Sequence, residues 1–101
     1  MELVQLDYHV TPFRAQRFAE LYWPVVSRVL AYGATGYMFY RSEEDPDHFV
    51  HSSLWEDKAG FQRYWFSREM QDVRARVIGY FAQPILPSWA TVIERGSAPR
   101  T

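Results

Sequence analysis

Residues 2–10 alternate strictly, with Val4, Leu6, Tyr8 and Val10 on one side and Leu3, Gln5, Asp7 and His9 on the other. That period of two belongs to a half-buried strand. The period then changes. Phe18, Leu21, Tyr22, Val25, Val26, Val29 and Leu30 recur at spacings of three and four, which is the single apolar stripe of a helix. A one-sided strand followed directly by a one-sided helix confines the chain to layered folds in which helices lie on one face of a sheet.

The remaining pattern completes the set. Thr11 and Pro12 read as the N-cap and first position of the helix, where proline's missing N–H costs nothing. Pro24 interrupts the stripe without shifting its phase, so a kinked but continuous helix is expected. Gly33 and Gly36 end it, and residues 37–41, rich in aromatic rings, read as a second strand. The polar turn 42–47 joins it to a third strand, 48–56, whose Phe49, His51, Ser53 and Trp55 share one face. Asp57 caps a short helix through Phe61 and Trp65. Ser67 caps another stretch carrying Met70, Val73, Val77, Tyr80 and Phe81, and a last strand spans 88–94. The order strand, helix, strand, strand, helix, strand is the ferredoxin-like βαββαβ arrangement of an α+β fold with a four-stranded antiparallel sheet. Helices on one face leave the other open, and the simplest cover is a second copy about a two-fold axis, so a homodimer through the sheet face is expected.

Composition limits the chemistry. A chain of 101 residues has room for one domain, taken as residues 1–95, with 96–101 as a flexible tail. There is no cysteine, which removes disulfides, thiolate nucleophiles, thiolate-bound zinc and iron–sulfur clusters. A formal net charge of -1, with acidic and basic residues interleaved, offers no basic stripe for nucleic acid. No apolar run approaches the roughly 18 residues of a membrane span, and the start Met1-Glu2-Leu3-Val4-Gln5 lacks a signal-peptide pattern, so a cytoplasmic protein without a membrane partner is expected. Four Trp, seven Tyr and seven Phe exceed what so small a core needs and suggest an aromatic-lined cavity, a partner surface, or both.

The stretch Tyr40-Arg41-Ser42, Asp45-Pro46-Asp47, Phe49-Val50, Trp55-Glu56-Asp57, Phe61, Tyr64 and Ser67 resembles the signature of the antibiotic biosynthesis monooxygenase (ABM) domain. The resemblance implies a dimeric α/β barrel. It also implies a choice among activities, because the family includes cofactor-independent oxygenases of polyketide anthrones, haem-degrading enzymes, quinol oxygenases and autoinducer-processing enzymes. The anthrone oxygenases carry an asparagine four residues before the tryptophan and a phenol six residues after it. Here those positions hold His51 and Phe61, with the tryptophan kept as Trp55 and a basic residue, Arg74, near the family's arginine. The haem-degrading branch places its axial histidine where Arg74 stands and a tryptophan where Tyr64 stands. A guanidinium has no free lone pair for iron, so haem is not expected.

The expected function is therefore that of a cofactor-independent monooxygenase acting on an aromatic or polyketide-like small molecule, with no cofactor and no metal. His51 is the candidate base, since imidazole titrates at about pH 6.5. Trp55 is a flat wall for an aromatic substrate, and Arg74 a holder for an enolate or carboxylate. Arg74 falls about 60° from the centre of its helix's apolar arc, on the shoulder of the buried face. Tyr8, Tyr37, Phe39, Phe61, Tyr64 and Trp65 are the candidate substrate-binding walls, with His9 and Tyr40 as further wall residues subject to the hairpin register. His48 and His51 lie three apart on a strand, point to opposite faces and cannot chelate together. Two alternatives stay open. One is a non-catalytic dimeric domain that binds a small molecule or serves as a structural partner. The other is a polyketide cyclase using His51 or His9 with Asp7.

Overall fold

Strand pairing answers the question that periodicity leaves open, namely which rings face the helices. The computed structural model describes residues 1–99. Glu2–His9 forms β1, Ala15–Tyr22 forms α1 and Trp23–Tyr32 continues as a 3₁₀ helix. Ala34–Arg41 forms β2, His48–Trp55 forms β3, Lys58–Trp65 forms α2, Arg68–Val77 forms α3 and Ser88–Thr91 forms β4. The strands make one four-stranded sheet in the order β2-β3-β1-β4, with every neighbouring pair antiparallel. This is the ferredoxin-like α+β arrangement expected from the element order.

Register assigns the faces. Phe49, His51, Ser53 and Trp55 of β3 point inward and are all buried. Opposite them in β2 stand Arg41, Phe39 and Tyr37, paired with Phe49, His51 and Ser53. Tyr37 and Phe39 therefore face the helix layer, while Met38 and Tyr40 face away from it. Val4, Leu6 and Tyr8 of β1 complete the inner face, and Phe18, Tyr22, Val26 and Val29 pack on it from the first helical segment.

Several local details differ from expectation, each for a physical reason. The first helix does not begin at Thr11 and Pro12. The Thr11 N–H donates to the Tyr80 carbonyl at 2.8 Å, which prolongs the strand edge, and Phe13 takes a left-handed φ of 71° before the helix starts at Ala15. At Pro24 the chain neither kinks nor breaks but tightens to 3₁₀ geometry, in which the proline occupies the first turn and its missing N–H leaves nothing unpaired. At three residues per turn, Val26, Val29 and Tyr32 align and Leu30 swings out, half exposed. Gly33 closes that helix at φ 108°, as its glycine allows. β2 starts directly after it at Ala34, with an irregularity between Ala34 and Gly36, so Gly36 belongs to the strand and not to the helix end. β4 stops at Thr91 because its partner runs out: Thr91 pairs with Glu2, the first residue of β1.

The helix caps expected at Asp57 and Ser67 hold. Asp57 Oδ1 accepts the Gly60 N–H at 3.2 Å and Ser67 Oγ accepts the Met70 N–H at 3.3 Å, capping α2 and α3. Gly60 is required by a close approach, since a Cβ there would meet Trp55 Cε3 at 2.9 Å. Residues 96–99 of the expected tail carry no regular secondary structure, and residues 100 and 101 lie outside the described residues. Among the described residues no helix is long and apolar enough to cross a membrane.

Candidate functional site

Three phenols, an imidazole and a guanidinium meet between the sheet and the helices. Tyr8 comes from β1, Tyr22 from the end of α1, His51 from β3, Tyr64 from α2 and Arg74 from α3. Tyr8 Oη donates to Tyr22 Oη at 2.8 Å, and Tyr22 Oη lies 2.7 Å from His51 Nδ1. With its oxygen taken by Tyr8, Tyr22 gives its one proton to Nδ1, which makes His51 the neutral Nε2–H tautomer. Among the described residues, three buried polar atoms around this hydrogen-bonded chain have no partner: His51 Nε2, Tyr64 Oη and Arg74 Nη1. Buried polar groups are paired in the great majority of cases, which singles out this cluster as the candidate site.

Burial governs the ionisation of the whole cluster. Loss of water pushes the Tyr8 and Tyr22 phenols well above their ordinary range. Tyr64 is pushed up by burial to about 12, with the field of Arg74 working in the opposite direction. Desolvation lowers Arg74, and the surrounding phenols oppose it by favouring its charge. His51 is lowered from 6.5 to about 4, chiefly by burial, while the Val26 carbonyl favours its protonated form without completing a hydrogen bond. A base this weak, already accepting from Tyr22, is not free to take a proton from a ligand directly.

The depressed imidazole has a measurable consequence. The unfolded chain binds this proton from about pH 6.5 downward and the folded one only from about pH 4, so between those values the unfolded state holds more protons. The contribution is complete above pH 6.5 and is lost as pH falls towards 4, by roughly 3 kcal/mol in all. Urea midpoints should drop across this window. His51→Gln should flatten that part of the profile, and an unchanged slope in the variant would refute the assignment.

A cleft of about 690 Å³ lies beside this cluster, lined by Trp65, Arg74, Ile78, Phe81, Ile85 and their neighbours. Arg74 belongs to both. Its guanidinium carbon sits 4.1 Å from the centre of the Trp65 ring, a close cation–π contact. Of the sequence candidates, Trp65 and Arg74 therefore line the cleft, and Tyr8, His51 and Tyr64 form the buried cluster behind it. Phe39 stacks on Phe49 at 5.8 Å and stands edge-on to His51. Trp55 and Phe61 pack against each other and Tyr64 in the core, with Trp55 Nε1 donating to Ser53 Oγ at 2.8 Å, and neither reaches the cleft. Tyr37 is part exposed and lines a separate surface cleft with Met38 and Arg95. Tyr40 points to the outer face. Sequence reasoning missed Tyr22 as a polar member, although a tyrosine inside an apolar stripe needs a partner for its hydroxyl. It also missed the cleft wall 82–85, which has no periodicity to read.

A second polar group occupies the opposite sheet face. His48 and His51 do point to opposite sides, but strand pairing sets His48 directly across from His9, with Asp7 on the same face. The two imidazoles stack at 4.3 Å, and His48 Nε2 lies 2.8 Å from Asp7 Oδ1. Partial burial works against the Asp7 charge, yet the Gln5 hydrogen bond and the adjacent histidines hold its carboxyl below the ordinary value. Asp7 and His9 are thus separated by the sheet from the cleft and from His51, so His51 has no pairing with Asp7, while His9 and Asp7 stay together on the outer face.

A ferredoxin-like sheet, one helix layer and an apolar cleft beside a buried phenol, imidazole and guanidinium cluster make up the candidate site on an α+β scaffold. The family model for antibiotic biosynthesis monooxygenase matches residues 1–76, and the chain belongs to that family. No curated protein matches it. Among solved structures, one described as an antibiotic biosynthesis monooxygenase superposes with a TM-score of 0.83 at 17% identity, covering 93% of this chain and 100% of that one. Rv0793 from Mycobacterium tuberculosis gives a TM-score of 0.82 at 15% identity over 95% of this chain and 98% of its own. PA3566 from Pseudomonas aeruginosa gives 0.81 at 14% identity over 92% and 94%. At such identities the likeness establishes the fold.

Proposed function

We propose that the chain is a cofactor-independent monooxygenase that binds an aromatic or polyketide-like molecule in the cleft beside Arg74. The observation that carries this reading is the unpaired, buried Nη1 of Arg74 at the point where the apolar cleft meets the phenol cluster. A flat, electron-rich phenol or anthrone fits the apolar walls, and its oxygen is the group that the Arg74 guanidinium on the cleft wall can hold as an anion, with the Tyr64 phenol buried behind it. A ring bound against the apolar walls displaces water from that anion, which leaves it able to reduce dioxygen. In the reaction, a substrate methylene and one O2 become a carbonyl and one water. His51 acts on this site through Tyr22: its Nδ1 accepts the Tyr22 hydroxyl's hydrogen bond and so turns the Tyr22 oxygen towards Tyr8. Tyr8 and Tyr64 belong to the cluster, and Trp65 forms a wall.

The same reading has the chain working as a homodimer in the cytoplasm. What supports a second copy is the uncovered sheet face, on which Met38 and Tyr40 are exposed at 65% and 46%. A single-copy mass by light scattering would remove that part.

The test of the activity is oxygen uptake by the purified protein with a panel of anthrones and quinols, run beside anaerobic controls. Consumption above the spontaneous rate, with oxygenated product, is the expected result. Tight binding of panel members without oxygen uptake would instead favour a non-catalytic binding domain, a reading supported by the lack of a phenol at Phe61.

A further inference from the structure

We propose that Asp7, His9 and His48 form a binding site for a borderline divalent cation such as Zn2+, Co2+ or Ni2+, on the sheet face opposite the cleft. The geometry is that of two imidazoles and a carboxylate drawn together by strand pairing. Asp7 and His9 are two apart on β1 and so share a face, and His48 stands directly across from His9 on β3. One ligand atom from each lies within 4.8 Å of the others. A tetrahedral zinc with bonds of about 2.0–2.1 Å needs its ligand atoms roughly 3.3 Å apart, so small side-chain rotations suffice.

Three further features distinguish this group from a chance surface cluster. Gln5 Nε2 donates to Asp7 Oδ2 at 3.0 Å, which holds one carboxylate oxygen and turns the other, Oδ1, towards the imidazoles. That is the part played by an outer-shell residue in metal sites, where it fixes ligand orientation. The two imidazole centroids are only 4.3 Å apart, so once the rings tilt out of their stack both can offer a nitrogen to one ion. Finally, in the single chain the His48 and Asp7 side chains are 26% and 32% exposed, so an ion can enter and water can complete its coordination before a second copy covers this face.

The ligand set decides which ion fits. Two imidazole nitrogens and one carboxylate oxygen suit late first-row divalent metals, with affinity expected to rise from Co2+ to Ni2+ and on to Cu2+. Mg2+ and Ca2+ prefer an all-oxygen shell and should not bind. The site is separate from the proposed oxygenase cleft and does not depend on it.

The experiment is equilibrium dialysis of the full chain against Zn2+ and against Co2+, read as metal per chain, with the histidine resonances followed by NMR during the Co2+ titration. One equivalent per chain is expected, with His9 and His48 perturbed and the inward His51 unaffected. Gln5→Ala should weaken binding by roughly 10- to 100-fold while leaving all three ligands in place. His9→Gln and His48→Gln should weaken it further, with unchanged circular dichroism showing that these part-exposed variants still fold. Absence of binding at micromolar metal would overturn the proposal. So would binding that survives both histidine substitutions, or equal binding of Ca2+.

Discussion

Trp55→Ala is expected to lose about 3–5 kcal/mol of folding stability, the largest effect of any single substitution in this chain. The indole is 1% exposed, stands edge-on to Phe61 at 5.8 Å, and lies against the surface left by Gly60. Nothing adjacent can collapse into the space. Gly60 has no side chain to offer, and Phe61 and Tyr64 are held by α2. The substitution also leaves Ser53 Oγ without the indole N–H that now bonds to it at 2.8 Å. Against a total of roughly 5–15 kcal/mol for a domain of this size, such a loss brings the protein close to its unfolding threshold. Urea denaturation followed by far-ultraviolet circular dichroism measures it. Trp55→Phe keeps most of the volume and should cost markedly less. A loss below about 1 kcal/mol for Trp55→Ala would mean that the indole borders open space and would return it to the list of cleft residues.

The same residue shows what the sequence can and cannot reveal. That Trp55 faces inward follows from counting by twos along β3, because alternation is a local property of an extended chain. Whether the inward space is packed or open is not local, since it depends on Gly60 and on how α2 lies. His51 was legible in the same way as an inward polar residue. Its partner Tyr22 was hidden in an apolar stripe, where a hydroxyl at the end of a ring leaves the periodicity unchanged. The 3₁₀ segment from Trp23 to Tyr32 was illegible because spacings of three and four fit both helix types, and only Pro24 pointed to the tighter one. Asp7 and His9 were legible as neighbours on one strand face, but the place of His48 beside them was not. It depends on the pairing of β1 with β3, strands separated by a helix and another strand, and a one-residue slip would have dispersed the group.

Arg74→Gln should separate function from stability. If the cleft holds an oxyanion against this guanidinium, turnover on any substrate found active should fall by roughly 10²–10³-fold, the usual cost of removing one preorganised donor to a developing negative charge. Stability should not fall with it. Among the described residues no carboxylate pairs with Arg74, its Nη1 is buried without a partner, and burial already lowers its affinity for the proton. A partly desolvated charge offset only by the Trp65 ring and the nearby phenols adds little to folding, and its removal should leave the urea midpoint about unchanged. Arg74→Lys keeps a positive charge but gives up the planar fork and the stacking on Trp65, so it should recover only part of the rate. The decisive pair of measurements is oxygen uptake and urea midpoint on the same preparation. Full activity in Arg74→Gln would remove Arg74 from the chemistry. A lowered midpoint with parallel loss of activity would show that it serves as packing over Trp65.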